Sequence, residues 1–110
     1  MTEAKKDLQE KINKLSMMEH SLQSFLGQKQ TFQAQLMEIE SALTELDKTD
    51  KAYKIVGNVM VASDKEELKK DLQQKKETAE LRIKTIEKQE EKMREKTAEL
   101  QSEVMKEMGK

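Results

Sequence analysis

The stretch Ala52–Ala62, AYKIVGNVMVA, stands at the middle of a chain of 110 residues. Tyr53, Ile55, Val56, Val59, Met60 and Val61 are β-branched, aromatic or otherwise apolar, the types that suit strands. Gly57-Asn58 interrupts them, and glycine at the first central position signals a two-residue type II′ turn. That turn sets Val56 opposite Val59, Ile55 opposite Met60, Lys54 opposite Val61 and Tyr53 opposite Ala62. Side chains alternate across a sheet. One face therefore carries Val56, Val59 and Val61, and the other Tyr53, Ile55, Met60 and Ala62. Only Lys54 is charged. Two strands alone are marginal in water, both edges stand open to pairing, and the sequence offers no other strand. The expectation is that the missing strands come from other subunits, so that Tyr53, Ile55, Val56, Val59, Met60 and Val61 build an oligomer.

Outward from this stretch the composition changes. Charged residues make up 39% of the chain and aromatic residues only 3%, a balance that argues against an ordinary globular core. Abundant Glu, Lys, Leu and Gln at helical spacing argues instead for long helices and a coiled coil. The first arm carries two heptad lines, Leu8, Leu15, Leu22, Lys29, Leu36, Leu43 and Lys11, Met18, Phe25, Phe32, Ile39, Leu46, in which ten of twelve positions are apolar. Ile12 and Leu26 widen the stripe. Thr2 is a candidate cap, with Glu3 and Asp7 suited to the positive end of the helix. Gly27 interrupts the arm at a cost of roughly 1 kcal/mol against alanine, and Asp47-Lys48-Thr49-Asp50 ends it.

The second arm starts sharply. Ser63 with Glu66 reads as a capping box, and Asp64 with Glu67 is a second candidate. Its lines are Leu72, Ala79, Ile86, Met93, Leu100 and Lys69, Lys76, Ile83, Glu90, Thr97, Val104; four of the six positions in the second are polar. Gly109 reads as the stop. The chain is thus expected to be one domain, 1–110, with a first coiled-coil helix over 1–47, a β-hairpin over 51–63 and a second helix over 64–108. The fold class is mainly α, a long antiparallel two-helix coiled coil joined by a single β-hairpin.

Folding back about Gly57-Asn58 sets residue i opposite residue 115 − i to a first approximation, and a seven-residue slip would match the same lines. Leu15 then meets Leu100, Leu22 meets Met93, Leu36 meets Ala79, Leu43 meets Leu72 and Phe32 meets Ile83. Farther out, Phe25 faces Glu90 and Met18 faces Thr97, a poorer match. Leu8, Ile12, Leu15, Met17, Met18, Leu100, Val104, Met105 and Met108 are therefore expected to be partly exposed or loosely buried. The end of the coil that they form lies ~60–70 Å along the helices from the hairpin, at about 1.5 Å per residue. Methionine adapts to many partners, and exposed apolar surface marks interaction sites. The same residues also read as plain seam residues, buried by the opposite helix or by another chain.

Other functions find little in this sequence. No cysteine means no disulfide, no thiol nucleophile and no cysteine-type zinc site. His20, the one histidine, reads as a solvated or seam-edge residue rather than a ligand or catalyst. The glutamates form a solvated face without an acid/base pair, and Gly57 does not belong to a phosphate loop. An enzyme is not expected, and neither a cofactor nor a metal. Residues 1–50 carry 6 basic and 9 acidic groups and residues 51–110 carry 15 and 13, without a block of one sign. Acidic neighbours dilute Lys84, Lys88 and Lys92, so nucleic acid is not expected. No window is apolar enough for a membrane span, and MTEAKKDLQEK does not read as a signal peptide. The expected location is the cytoplasm.

YKIVGNVMV (Tyr53–Val61), DKEELKKDL (Asp64–Leu72), LRIKTIEKQEEKMREK (Leu81–Lys96) and GQKQTFQAQLMEIESALTEL (Gly27–Leu46) give the chain a resemblance to the β-type subunits of archaeal-type prefoldin, over nearly its whole length. The single hairpin fits the β type, since α-type subunits carry two. The resemblance implies a chaperone subunit that holds non-native polypeptide without ATP. Two α-type and four β-type subunits would join through their hairpins into an oligomeric β-barrel platform. The coil tips would bind unfolded clients and pass them to a group II chaperonin. Lys76 and Thr97 depart from the apolar seam that the family leads one to expect, as does Gly27 within the first helix. The alternative reading is a passive coiled-coil scaffold or spacer that docks one folded partner.

Overall fold

The computed structural model describes residues 3–109. Four elements follow one another: α1 (Glu3–Asp47), β1 (Ala52–Val56), β2 (Val59–Ser63) and α2 (Lys65–Met108). Thr2, the candidate cap of α1, lies outside the described residues. The chain forms two compact units, residues 30–84 and residues 1–29 with 85–110. Among the described residues no helix is long and apolar enough to cross a membrane.

The unit 30–84 contains the hairpin. β1 and β2 pair antiparallel in the register the turn dictates: Tyr53 with Ala62, Lys54 with Val61, Ile55 with Met60, Val56 with Val59, and Ala52 with Ser63 besides. Gly57 has φ +63°, and no described residue other than glycine has a positive φ. A positive φ at the first turn position alone is the II′ pattern; type I′ would need one at Asn58 as well. There is open space around Gly57, so the backbone rather than crowding selects glycine here. Another residue held at that φ costs roughly 1–3 kcal/mol.

Both helix ends at the hairpin are made by local bonds. α1 closes through Lys48 N–H to Glu45 O (3.1 Å) and Thr49 N–H to Leu46 O (3.4 Å), and the Thr49 hydroxyl accepts from Lys51 N–H (3.2 Å). At the start of α2, Asp64 Oδ1 accepts from Glu66 N–H (3.2 Å), and Asp64 O takes the first helical bond from Leu68 (3.0 Å). Asp64 is therefore the cap. Ser63, the other candidate, is the last residue of the ladder and pairs with Ala52. Glu66 and Glu67 in the first turn suit the positive end of the helix.

The two helices run antiparallel in this unit, as ion pairs between them report. Lys69 Nζ lies 2.7 Å from Asp47 Oδ1, and Lys76 Nζ lies 3.9 Å from Glu40 Oε1. Lys76, a charged residue at a seam position, thus has a carboxylate across the seam. Leu46, Ala52 and Ala79 are buried here, while Phe32, Leu36 and Ile39 are half-covered. The small Ala79 is covered more fully than the large side chains of α1 because a two-helix coil covers each residue from one side only.

In the unit formed by 1–29 with 85–110, α1 runs unbroken through Gly27. Lys11 pairs with Glu107 and lies 3.6 Å from Glu103; Lys29 Nζ lies 2.7 Å from Glu90 Oε1, so this stretch is antiparallel too. Ile86 and Val104 are buried, each worth about 1.5–3 kcal/mol when fully covered. Thr97 is also buried: its hydroxyl donates to Met93 O (2.7 Å) and lies 3.7 Å from the sulfur of Met18. The i−4 bond satisfies the hydroxyl, which explains how threonine sits buried at a seam position. α2 ends at Met108, where Gly109 N–H reaches Met105 O (3.0 Å).

The Lys69 ammonium beside Asp47 holds its carboxyl below the usual aspartate range, and Asp47 in turn raises Lys69 above the usual lysine range. A lowered carboxyl pKa gives stability that is present above the unfolded value and lost as pH falls through the folded one. A raised lysine pKa gives stability lost only as pH rises through the strongly alkaline range. Thermal unfolding followed from neutral to acid pH should therefore show a shallower fall for Asp47→Asn than for the parent chain. Asp47 is exposed and Lys69 only half-buried, so the difference is small; equal slopes would contradict the pairing.

Candidate functional site

The sequence nominates two sets of side chains, and each lies within one unit. The first is the hairpin. Tyr53, Ile55, Val56, Val59, Met60 and Val61 are all exposed in the single chain, Ile55 at 70% and Met60 at 65%. The ladder register distributes them over both faces, so neither face is covered by the helices. Only the end of the ladder nearest the helices is shielded, with Ala52 buried and Ser63 half-buried. The described sheet has two strands, so each strand also presents an unpaired edge. Apolar faces and open edges together are a template for strands of another chain.

The second set is where the outer parts of α1 and α2 pair. Nine residues were expected to be loose there, and the structure divides them. Leu8, Leu15, Met18 and Leu100 are half-buried in the seam. Val104, at 7% exposure, is a true seam residue and not loosely held. Met17, Met105 and Met108 are bare, Met105 at 74%, and Ile12 is exposed at 39%.

Helical position explains the division. Ile12 is one residue past the Lys11 line, and Met108 is four past Val104. In an antiparallel pair those two positions face the same flank of the seam, and Met105 lies just outside it. Met17, two past Leu15, falls on the other flank. There a shallow groove is lined by Met17, Met18, Met93 and Leu100 and rimmed by Lys14, Lys96, Glu99 and Glu103. Flexible methionine in an open groove with a charged rim gives non-directional contact and little shape selection.

One more exposed residue belongs with this set. Leu26 is exposed and stands two heptads after Ile12, on the same flank. The sequence reading absorbed it into the seam; its spacing from Ile12 is the signal that places it outside. Met37 and Leu81, in the other unit, are exposed apolar residues that sequence reading did not single out. His20 is exposed on α1. Among the described residues no cluster of His, Cys, Asp or Glu could hold a metal ion.

The bare hairpin yields a direct expectation. Ile55→Asp adds a charge at an exposed position, where its effect on the folded single chain should stay within about 0.5 kcal/mol. In an assembly that buries Ile55, the same charge is desolvated without a partner. Native mass measurement should find the assembly lost while circular dichroism keeps its helical signal. A variant that assembles like the parent chain would remove the hairpin from the interface.

The sequence profile of the family described as prefoldin subunit matches residues 9–110. Prefoldin subunit beta of Archaeoglobus fulgidus is 41% identical, over 83% of this chain and 81% of that protein. Prefoldin subunit beta of Pyrobaculum neutrophilum is 37% identical, over 100% of this chain and 90% of that protein. The crystal structure of the prefoldin beta subunit from Thermococcus strain KS-1 superposes with a TM-score of 0.83 at 33% identity, covering 91% of this chain and 90% of that one. The hairpin register, the paired helices and these likenesses agree: the chain belongs to the prefoldin family, among its β subunits.

Proposed function

We propose that this subunit of a chaperone family holds non-native polypeptide, without ATP, on the outer ends of its paired helices. The observation that carries the reading is the exposed set Ile12, Met17, Met105 and Met108 beside the seam at the outer ends of the paired helices. Exposed apolar side chains of this kind bind other apolar chains, and methionine fits clients of unrelated sequence. The hairpin, on this reading, joins α-type and β-type prefoldin subunits, and the assembly passes its clients to a group II chaperonin in the cytoplasm. Neither a cofactor nor a catalytic step is needed, because holding requires contact and release only.

The test replaces the bare residues and leaves the seam alone. Ile12, Met17, Met105 and Met108 are exposed, so serine at all of them should leave helix content and native mass unchanged. Assembled with an α-type subunit, the quadruple variant should lose most of the parent's power to suppress aggregation of an unrelated unfolded protein. Undiminished suppression would overturn the assignment. Retained binding of a single folded partner, with no suppression even by the parent chain, would indicate a docking scaffold instead.

A further inference from the structure

The seam of α1 is nearly all apolar, and such a helix has an obvious competing partner: the α1 of a second chain. Packed in parallel and in register, two α1 helices would stack Leu8, Leu15, Leu22, Leu36 and Leu43 on their own copies. Their seam would be more apolar than the one α1 makes with α2. Only Lys11 and Lys29 interrupt it.

Within the chain, both lysines meet carboxylates that only α2 supplies. Lys29 Nζ lies 2.7 Å from Glu90 Oε1, and Arg94 lies 3.5 Å from the other oxygen of that carboxylate. Glu90 is itself buried, at 5% exposure, in a line where an apolar residue would pack. Lys11 pairs with Glu107 and Glu103, and these carboxylates hold its ammonium above the usual lysine range, the Glu107 hydrogen bond contributing most. In an α1–α1 pair, each lysine would instead face its own copy, a like charge within the seam.

We propose that Lys11 and Lys29 select the helix that α1 pairs with: they admit α2 of the same chain and exclude α1 of another. A buried ion pair contributes little net stability, and apolar replacement of all its members is often neutral or stabilising. Lysine at a seam position is a known means of fixing partner and register at some cost in stability. This role is independent of what the outer ends bind.

The chain has no cysteine, so a single Leu22→Cys reports directly on the competing pair. In a parallel, in-register α1 pair position 22 lies directly against its copy, whereas in the chain's own coil it faces α2. The substitution is placed in the parent chain and in Lys11→Leu/Lys29→Leu/Glu90→Leu, and each full-length chain is oxidised and run on a non-reducing gel. The expected result is a disulfide-linked dimer several-fold more abundant in the triple variant, with helix content and melting temperature kept or raised. A control chain carrying Lys29→Glu with Glu90→Lys retains both the internal pair and the like-charge layer, and should stay as unlinked as the parent. Equal linkage in parent and triple variant would overturn the proposal. Loss of helix in the triple variant would overturn it too, since the charges would then be needed for folding itself.

Discussion

An apolar hairpin with nothing on either face is the constraint on which this structure turns. A lone two-stranded ribbon is marginal in water. This one is held at one end by the helices, where Ala52 and Leu46 are buried, and by a glycine turn at the other. Between those ends Tyr53, Ile55, Val56, Val59, Met60 and Val61 stay exposed. Burying such side chains contributes about 1.5–3 kcal/mol each, a large free energy that the single chain leaves unrealised. The helices cannot supply the cover, because their apolar stripes are already used on each other. Partner strands can.

The paired helices meet a different constraint. Two helices cover each other from one side, and no large described side chain is fully enclosed. Such a seam tolerates charge where an opposite charge lies across it. Lys11 has Glu107, Lys29 has Glu90, Lys69 has Asp47 and Lys76 has Glu40. What reads as a poor heptad in α2 is therefore a set of charged layers answered from α1, with Thr97 satisfied within its own helix. The partial cover also leaves the positions beside the seam bare, and there Ile12, Leu26, Met105 and Met108 collect on one flank.

Much of this was legible in the sequence for identifiable reasons. Gly57-Asn58 fixes the turn, the turn fixes every strand pair, and the Met18–Thr97 contact agrees with the arm pairing that a fold-back about that turn gives. Periodicity locates the helices because their heptads are long and unbroken by proline. The cap of α2 was not decided by sequence, since Ser63 and Asp64 are equally good cap residues. The strand ladder decides it by engaging Ser63. The poor matches of Phe25 with Glu90 and Met18 with Thr97 set Val104 among the loose residues; its own heptad position buries it. The pairing of Lys29 with Glu90, rather than Phe25 with Glu90, depends on a long side chain reaching along the seam, which a one-to-one register does not convey.

The central claim is that the hairpin is completed by strands of other subunits. Its most direct test is the native mass of the unaltered chain, measured alone and after mixing with an α-type prefoldin subunit. The account predicts a hexameric mass on mixing. A chain that stays monomeric under both conditions would contradict it, because the apolar faces of the hairpin would then be stable in water without partners.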